Sequence, residues 1–148
     1  MPDPAPDPTS DPAVAMWADD TASAMLGMRL VEVGPGRARV SMPVRSDMVN
    51  GHDLCHGGLI ATLADSAFAL ACNSHRPATV AAGFTIDLLA PARLGQTLHA
   101  EARVVSLRGR SGIYDVTVRA DDADSGEVIA ELRGRSRTLP DPAGASRG

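Results

Sequence analysis

NGHDLCHGGLIATLADSAFALACNS, residues 50–74, is the stretch on which the fold turns. Its first third is polar and turn-rich. From Gly57 onward almost nothing resists a helix, and the pattern predicts one from Gly57–Gly58 to about Cys72. At 3.6 residues per turn, Leu59, Leu63, Ser66 and Leu70 lie near one side. Ile60, Ala64, Ala67 and Ala71 lie on a neighbouring side. A helix this apolar is expected to be mostly buried. One acid, Asp65, stands inside it, and no base lies three or four positions away to pair with it.

The text on either side changes period. AVAMWADDTASAMLGMRL, residues 13–30, opens with a helix in which Ala13, Met16, Trp17, Met25 and Leu26 can form an apolar side and Gly27 a stop. LVEV at 30–33 and RARVSMPV at 37–44 alternate as strands around a Gly34-Pro35-Gly36 turn, which predicts a hairpin. After Pro77 four further strand-like runs follow: TVAAGFTIDLLAP, TLHAEARVVSLRG, SGIYDVTVRA and VIAELRGRSRTL. Turns fall at Gly95-Gln96, at Arg108-Gly109-Arg110 and at 121–127. The expected class is α+β: one long helix covering five or six mostly antiparallel strands, the later ones in a meander.

A chain of 148 residues suggests one domain, with a core that needs no metal or disulfide. Residues 1–12, rich in Pro and Asp, read as a disordered tail, and 140–148 as a flexible C-terminal tail. Residues 13–139 form the single domain. Aromatic content is only 3%, so aliphatic side chains and alanine must fill the interior. The net charge of −4 argues against a broad nucleic-acid surface. The acidic N-terminus does not resemble a secretory signal, and no window is long and apolar enough for a membrane span, so the expected compartment is the cytoplasm. Cys55 and Cys72 read as reduced thiols. No His, Cys, Asp and Glu set has metal-ligand spacing, and no cofactor is expected.

Two features of the opening stretch carry chemistry. Asp65, in apolar company, must be hydrogen-bonded, paired or shifted in protonation, which makes it the leading acid–base candidate. A solvated helical acid is the plain alternative. Gly58 stands in the first helical turn, where N–H groups lack intrahelical acceptors and an oxygen can approach the backbone closely. Such a donor can polarise a carbonyl, although two glycines can also serve only a tight turn. The seven-residue spacing separates the two positions by about 10.5 Å along the axis. They cannot readily serve one carbonyl within one chain. If both react, the acid comes from a second copy whose helix runs antiparallel across a twofold axis.

Asn50-Gly51-His52, Cys55-His56-Gly57-Gly58, Leu63-Ala64-Asp65 and Ala71-Cys72-Asn73-Ser74 together resemble the phenylacetic-acid-degradation thioesterases (PaaI family) of the hotdog fold. FTIDLLAP, GIYDVTVRA and ELRGRSRTL add to the likeness, which covers about residues 14–139. The resemblance implies a curved antiparallel sheet wrapped around the long helix, active sites shared by two subunits, and a tetramer built as a dimer of dimers. It implies hydrolysis of phenylacetyl-CoA or ring-hydroxylated relatives. Asp65 becomes the nucleophile or general base, the partner's Gly58 N–H polarises the thioester carbonyl, Asn50 orients substrate or water, and His56 and Gly57 shape the turn. Leu59, Thr62, Ser66 and Phe68 then shape the acyl pocket, and Tyr114 packs near the interface. Arg108, Arg110 and Ser111 on a basic turn, with Arg76 and Arg93, are candidates for the CoA phosphates. Many relatives carry Arg before the proline matched by Pro91; this chain has Ala90 there, so those contacts have room to differ. Rival readings are a thioesterase for another aryl- or short acyl-CoA, a dehydratase of the same fold and a non-catalytic acyl-CoA binder.

Overall fold

The computed structural model describes residues 11–74 and 76–140, so the tails outside 11–140 lie beyond the described residues. Among these residues three α-helices and six strands occur in the order α1 (Pro12–Ala18), α2 (Thr21–Met25), β1 (Arg29–Gly34), β2 (Arg37–Pro43), α3 (Gly57–Asn73), β3 (Thr79–Leu88), β4 (Thr97–Arg108), β5 (Ser111–Ala120) and β6 (Val128–Thr138). The strands form one antiparallel sheet in the order β1-β2-β4-β5-β6-β3. This is the hotdog arrangement, with α3 in the hollow of the sheet.

The sequence accounts for most of this. Gly36, at φ 71°, closes the β1–β2 turn in a conformation that favours glycine. On β2, Ala38, Val40 and Met42 face inward and meet Leu98, Ala100 and Ala102 of β4. On β5, Tyr114, Val116 and Val118 do the same. Register shifts in the β1–β2, β3–β6, β4–β5 and β5–β6 pairs mark bulges, which add twist and let the sheet curl around the helix. Ile60, Leu63, Ala64, Ala67, Phe68, Leu70 and Ala71 of α3 are buried against that concave face.

Three expectations need correction. The N-terminal helix is not continuous. Asp19 ends α1, and Asp20 caps α2 by accepting from Ser23 N at 2.9 Å, because a short acid satisfies a free helix donor better than it continues a helix. Met25 consequently sits 68% exposed, off the apolar side predicted for it. The N-terminal boundary also moves. Asp11 caps α1, accepting from Ala13 N at 2.9 Å, and Pro12 occupies the first turn, where its missing N–H costs nothing. Finally, β3 leaves the expected meander. It lies at the far edge beside β6, and the chain returns to β4 through residues 89–96 across the end of the sheet. That return is fastened by Leu89 N to Ile129 O, Cys55 N to Ala92 O and Gly95 N to Val44 O.

One close approach tests the packing. A Cβ added at Gly134 of β6 would stand 2.8 Å from the ring carbons of Phe68, a side chain with no exposed surface. Gly134→Ala is expected to destabilise the protein by about 1–3 kcal/mol, read from chemical denaturation at an unchanged m value.

Candidate active site

The loop before α3 is built backward from Asn50. Its Oδ1 accepts from His52 N at 2.9 Å and Leu54 N at 3.2 Å, and its own N–H donates to Leu54 O at 2.8 Å. These bonds fold residues 50–54 into a tight turn that ends at Cys55, whose thiol burial pushes upward in pKa. His56 N donates to Met48 O at 3.0 Å, and His56 then serves as the helix N-cap with an exposed ring. No side chain among the described residues caps the helix. Leu59 and Ile60 both donate to His56 O, which leaves Gly57 and Gly58 as first-turn donors without an intrahelical acceptor.

The two glycines meet different surroundings. A Cβ at Gly57 would lie 2.5 Å from Leu88 Cδ1, so the helix start is tucked under the end of β3. A Cβ at Gly58 would meet nothing within 4 Å among the described residues. Gly58 is exposed, and an acceptor can reach its backbone. Beside it a groove of about 320 Å³ runs between Asn50, Cys55, Gly57 and Ile60 on one wall and Leu88 and Pro91 on the other.

Along α3, Gly58, Ala61, Thr62, Asp65 and Ala69 escape burial as one stripe, and Gly57 and Leu59 escape it at the helix start. Thr62 Oγ1 donates back to Gly58 O at 2.8 Å, which turns its polar atom toward the helix and leaves its methyl on the stripe. Asp65 is half-buried, and no hydrogen bond or ion pair reaches its carboxylate among the described residues. Burial raises its pKa above the ordinary carboxylate range, and the nearby charge of Asp20 raises it further. A carboxylate held in this way is a stronger base than a solvated one.

Several predicted site residues separate from this stripe. Phe68 is fully buried, its ring 5.5 Å from that of Tyr114 and packed on Gly134. Ser66 is also buried and shares a 2.8 Å hydrogen bond with Ser23 of α2. Both lie on the sides of the helix covered by the sheet and the N-terminal helices, so neither lines an open acyl pocket within the subunit. Tyr114 belongs to the same core and not to an outer interface. Leu59 remains half-exposed near the helix start.

The basic candidates fall at opposite ends of α3. Arg93 pairs through Leu54 with the loop before the helix, whereas Arg108, Arg110 and Ser111 form the β4–β5 turn, with Gly109 at φ 56°. Arg76 follows the helix C-terminus, and its charge lowers the pKa of Cys72, which burial nonetheless drives to about 11. A groove of about 330 Å³ joins Arg108 and Ser111 to Ser106, Ile113, Arg135 and Arg137, on the face of the sheet away from α3. Arg110 is not among its walls. On the same outer face Arg37, Arg39 and Arg133 pair with Glu32, Glu101 and Asp115. Arg108, Arg135 and Arg137 form no ion pair among the described residues, so the groove is cationic. Arg135 and Arg137 are absent from the candidates drawn from sequence, although the alternation in RGRSRT places them on one strand face. No group of metal-ligating side chains assembles among the described residues.

Uncapped helix donors, a half-buried acid and a sheet wrapped around the helix are the elements of a hotdog thioesterase. The thioesterase superfamily profile matches residues 52–127, and the chain belongs to that superfamily. It is an acyl-CoA thioesterase of the PaaI type. It is 39% identical over 127 residues to the acyl-coenzyme A thioesterase PaaI of Escherichia coli K12, covering 86% of this chain and 89% of that one. The solved structure of the E. coli PaaI protein superposes with a TM-score of 0.82 over 86% of this chain and 91% of that chain. A mutant of PaaI from Thermus thermophilus superposes at 0.75 and 35% identity, covering 81% of this chain and all of that one.

Proposed function

We propose that the protein hydrolyses phenylacetyl-CoA or its ring-hydroxylated derivatives at sites shared by two subunits. The observation that carries the hydrolysis is the open stripe on α3, with an unblocked N–H at Gly58 and a half-buried carboxylate at Asp65 that is unpaired among the described residues. The likeness to the E. coli PaaI protein of the phenylacetic acid degradation operon supports the acyl group. Gly58 N–H from one subunit polarises the thioester carbonyl. Asp65 from the other takes a proton from water as the water oxygen bonds to the acyl carbon, or attacks that carbon itself to form an anhydride that water then opens. The oxyanion collapses, the C–S bond breaks, and CoA leaves as the thiolate and takes up a proton. The products are the arylacetic acid and CoA by either route.

The edge of the sheet supports the dimer. Among the described residues β3 pairs only with β6, and it exposes Val80, Phe84 and Leu88 along ten residues, a long apolar edge that a solitary chain would leave open to aggregation. A second β3, antiparallel across a twofold axis, covers it. That axis sets the Thr79 end of one strand against the Leu88 end of the other. Arg137 and Arg135 lie beside Val80 and Gly83, at the first of these ends. Gly57 lies under Leu88, at the second. The cationic end of one subunit thus comes level with the helix start of its partner along the joined edge, and the CoA phosphates attached to a bound thioester need cations. Two such dimers make the tetramer, working in the cytoplasm.

Arg135→Ala and Arg137→Ala are each expected to raise KM about tenfold with kcat nearly kept. The penalty should shrink for a thioester that lacks the nucleotide. The test of the function is a panel of purified acyl-CoA substrates. Turnover is expected to be best with phenylacetyl- and hydroxyphenylacetyl-CoA. Indifference to both, with rapid hydrolysis of another acyl-CoA, would reject the substrate class. Formation of an enoyl-CoA from a hydroxyacyl-CoA would replace hydrolysis with dehydration.

A further inference from the structure

We propose that Asp20 is a positioning residue for this site: it locks the α1–α2 elbow onto α3 beside Asp65 and sets the electrostatic environment in which that carboxylate works. The inference rests on Asp65 being the reacting acid. Its physical basis is a chain of short contacts. Asp20 Oδ1 accepts from Ser23 N at 2.9 Å, and Oδ2 accepts from Ser23 Oγ at 2.6 Å. Ser23 Oγ lies 2.8 Å from Ser66 Oγ, and Ser66 is the helical neighbour of Asp65. Ser23 and Ser66 are both buried, so the link is shielded from competing water.

A carboxylate at a helix N-cap ordinarily has one task, to satisfy the free N–H groups. Asn or Ser would serve equally well for that. Asp20 differs from them in charge, and that charge also acts on a second acid. Its field adds to the effect of burial on Asp65, and both oppose ionisation. Two other titratable groups in this part of the core, Cys72 and Tyr114, carry no charge at working pH. Cys72 on α3 is held to about 11, and burial also pushes Tyr114 of β5 upward. Arg76 acts on those two groups, and Asp20 is the charge that acts on Asp65. The N-terminal elbow therefore makes Asp65 more basic and holds it at the open stripe.

The experiment is the pH dependence of kcat/KM for phenylacetyl-CoA, measured on the assembled wild-type protein and on Asp20→Asn, Asp20→Ser and Asp20→Glu. The acidic limb reports the free enzyme's base. Asn and Ser keep a capping oxygen and remove the charge, so the limb should move to lower pH in both. Glu should return it toward the wild-type position. A role confined to capping would change thermal stability and leave the limb in place. An unmoved limb in whichever of the Asn and Ser variants folds overturns the inference. Asp65→Asn, run alongside, separates the two levels. If it keeps wild-type turnover, the assignment of Asp65 is wrong and the role of Asp20 falls with it. If it is inactive while the limb of the Asp20 variants stays fixed, only the role of Asp20 is rejected.

Discussion

Asp65→Asn is expected to lower kcat by about 10²–10⁴-fold, the range over which a positioned acid–base group contributes, while leaving the fold intact. The side chain keeps its shape, and its carboxylate has no hydrogen-bond or salt-bridge partner to lose among the described residues. Stability should change in the opposite direction to activity. The folded-state pKa of Asp65 is raised, by burial first and by Asp20 second. Both folded and unfolded chains are protonated there below the ordinary aspartate value, so Asp65 costs the fold nothing at low pH. As pH rises from that value through the raised one, the unfolded chain ionises more readily, and stability falls. Asp65→Asn lacks this decline. It should melt above the wild type at neutral pH, with the difference vanishing under acid conditions. Thermal melts across pH, paired with steady-state kinetics, check both halves. Unchanged turnover would remove Asp65 from the mechanism.

Gly58→Pro is expected to lower kcat about 10²–10³-fold, the loss seen when one oxyanion donor is deleted. Proline is accepted in the first turn of a helix because the N–H there has no intrahelical partner. The residue four positions earlier, Leu54, precedes the helix, so no helical carbonyl stands in the way of the ring. The substitution thus removes the proposed donor with little change to α3. Gly58→Ala is the companion variant. It retains the N–H and finds no neighbour within 4 Å of its new methyl, so it should fold normally and lose less kcat than the proline variant. Equal losses in the two would mean that space at Gly58, and not its N–H, is what the reaction needs.

The fold is legible wherever one local period dominates. The apolar helix from Gly57, the Gly34-Pro35-Gly36 hairpin and the last four strands all follow from patterns of 3.6 or 2 residues and their turn signals. Strand order is not legible. The alternation in TVAAGFTIDLL marks a strand but does not say that it crosses to the edge beyond β6. The stripe of α3 that stays open follows from the small residues around Asp65. The buried sides are harder to assign. Ser66 and Phe68 look available on a helical wheel, and only the positions of Ser23 and Gly134 show what covers them. Asp20 and Asp65 are distant in sequence, and their approach depends on the elbow between α1 and α2. The Asp19–Asp20 pair that forms this elbow reads, in sequence, as part of one continuous helix.

The central claim is that one thioester is served by Gly58 of one subunit and Asp65 of another. Mixed assemblies test it most directly. Asp65→Asn and Gly58→Pro proteins, each inactive alone, are unfolded together, refolded and assayed with phenylacetyl-CoA, with each variant refolded separately as a control. A mixed dimer contains one site with an intact Gly58 from the first variant and an intact Asp65 from the second. Activity should therefore return on mixing, at one working site per mixed dimer. If both groups act within one chain, every chain in the mixture carries a defect, and the refolded mixture would stay as inactive as its components.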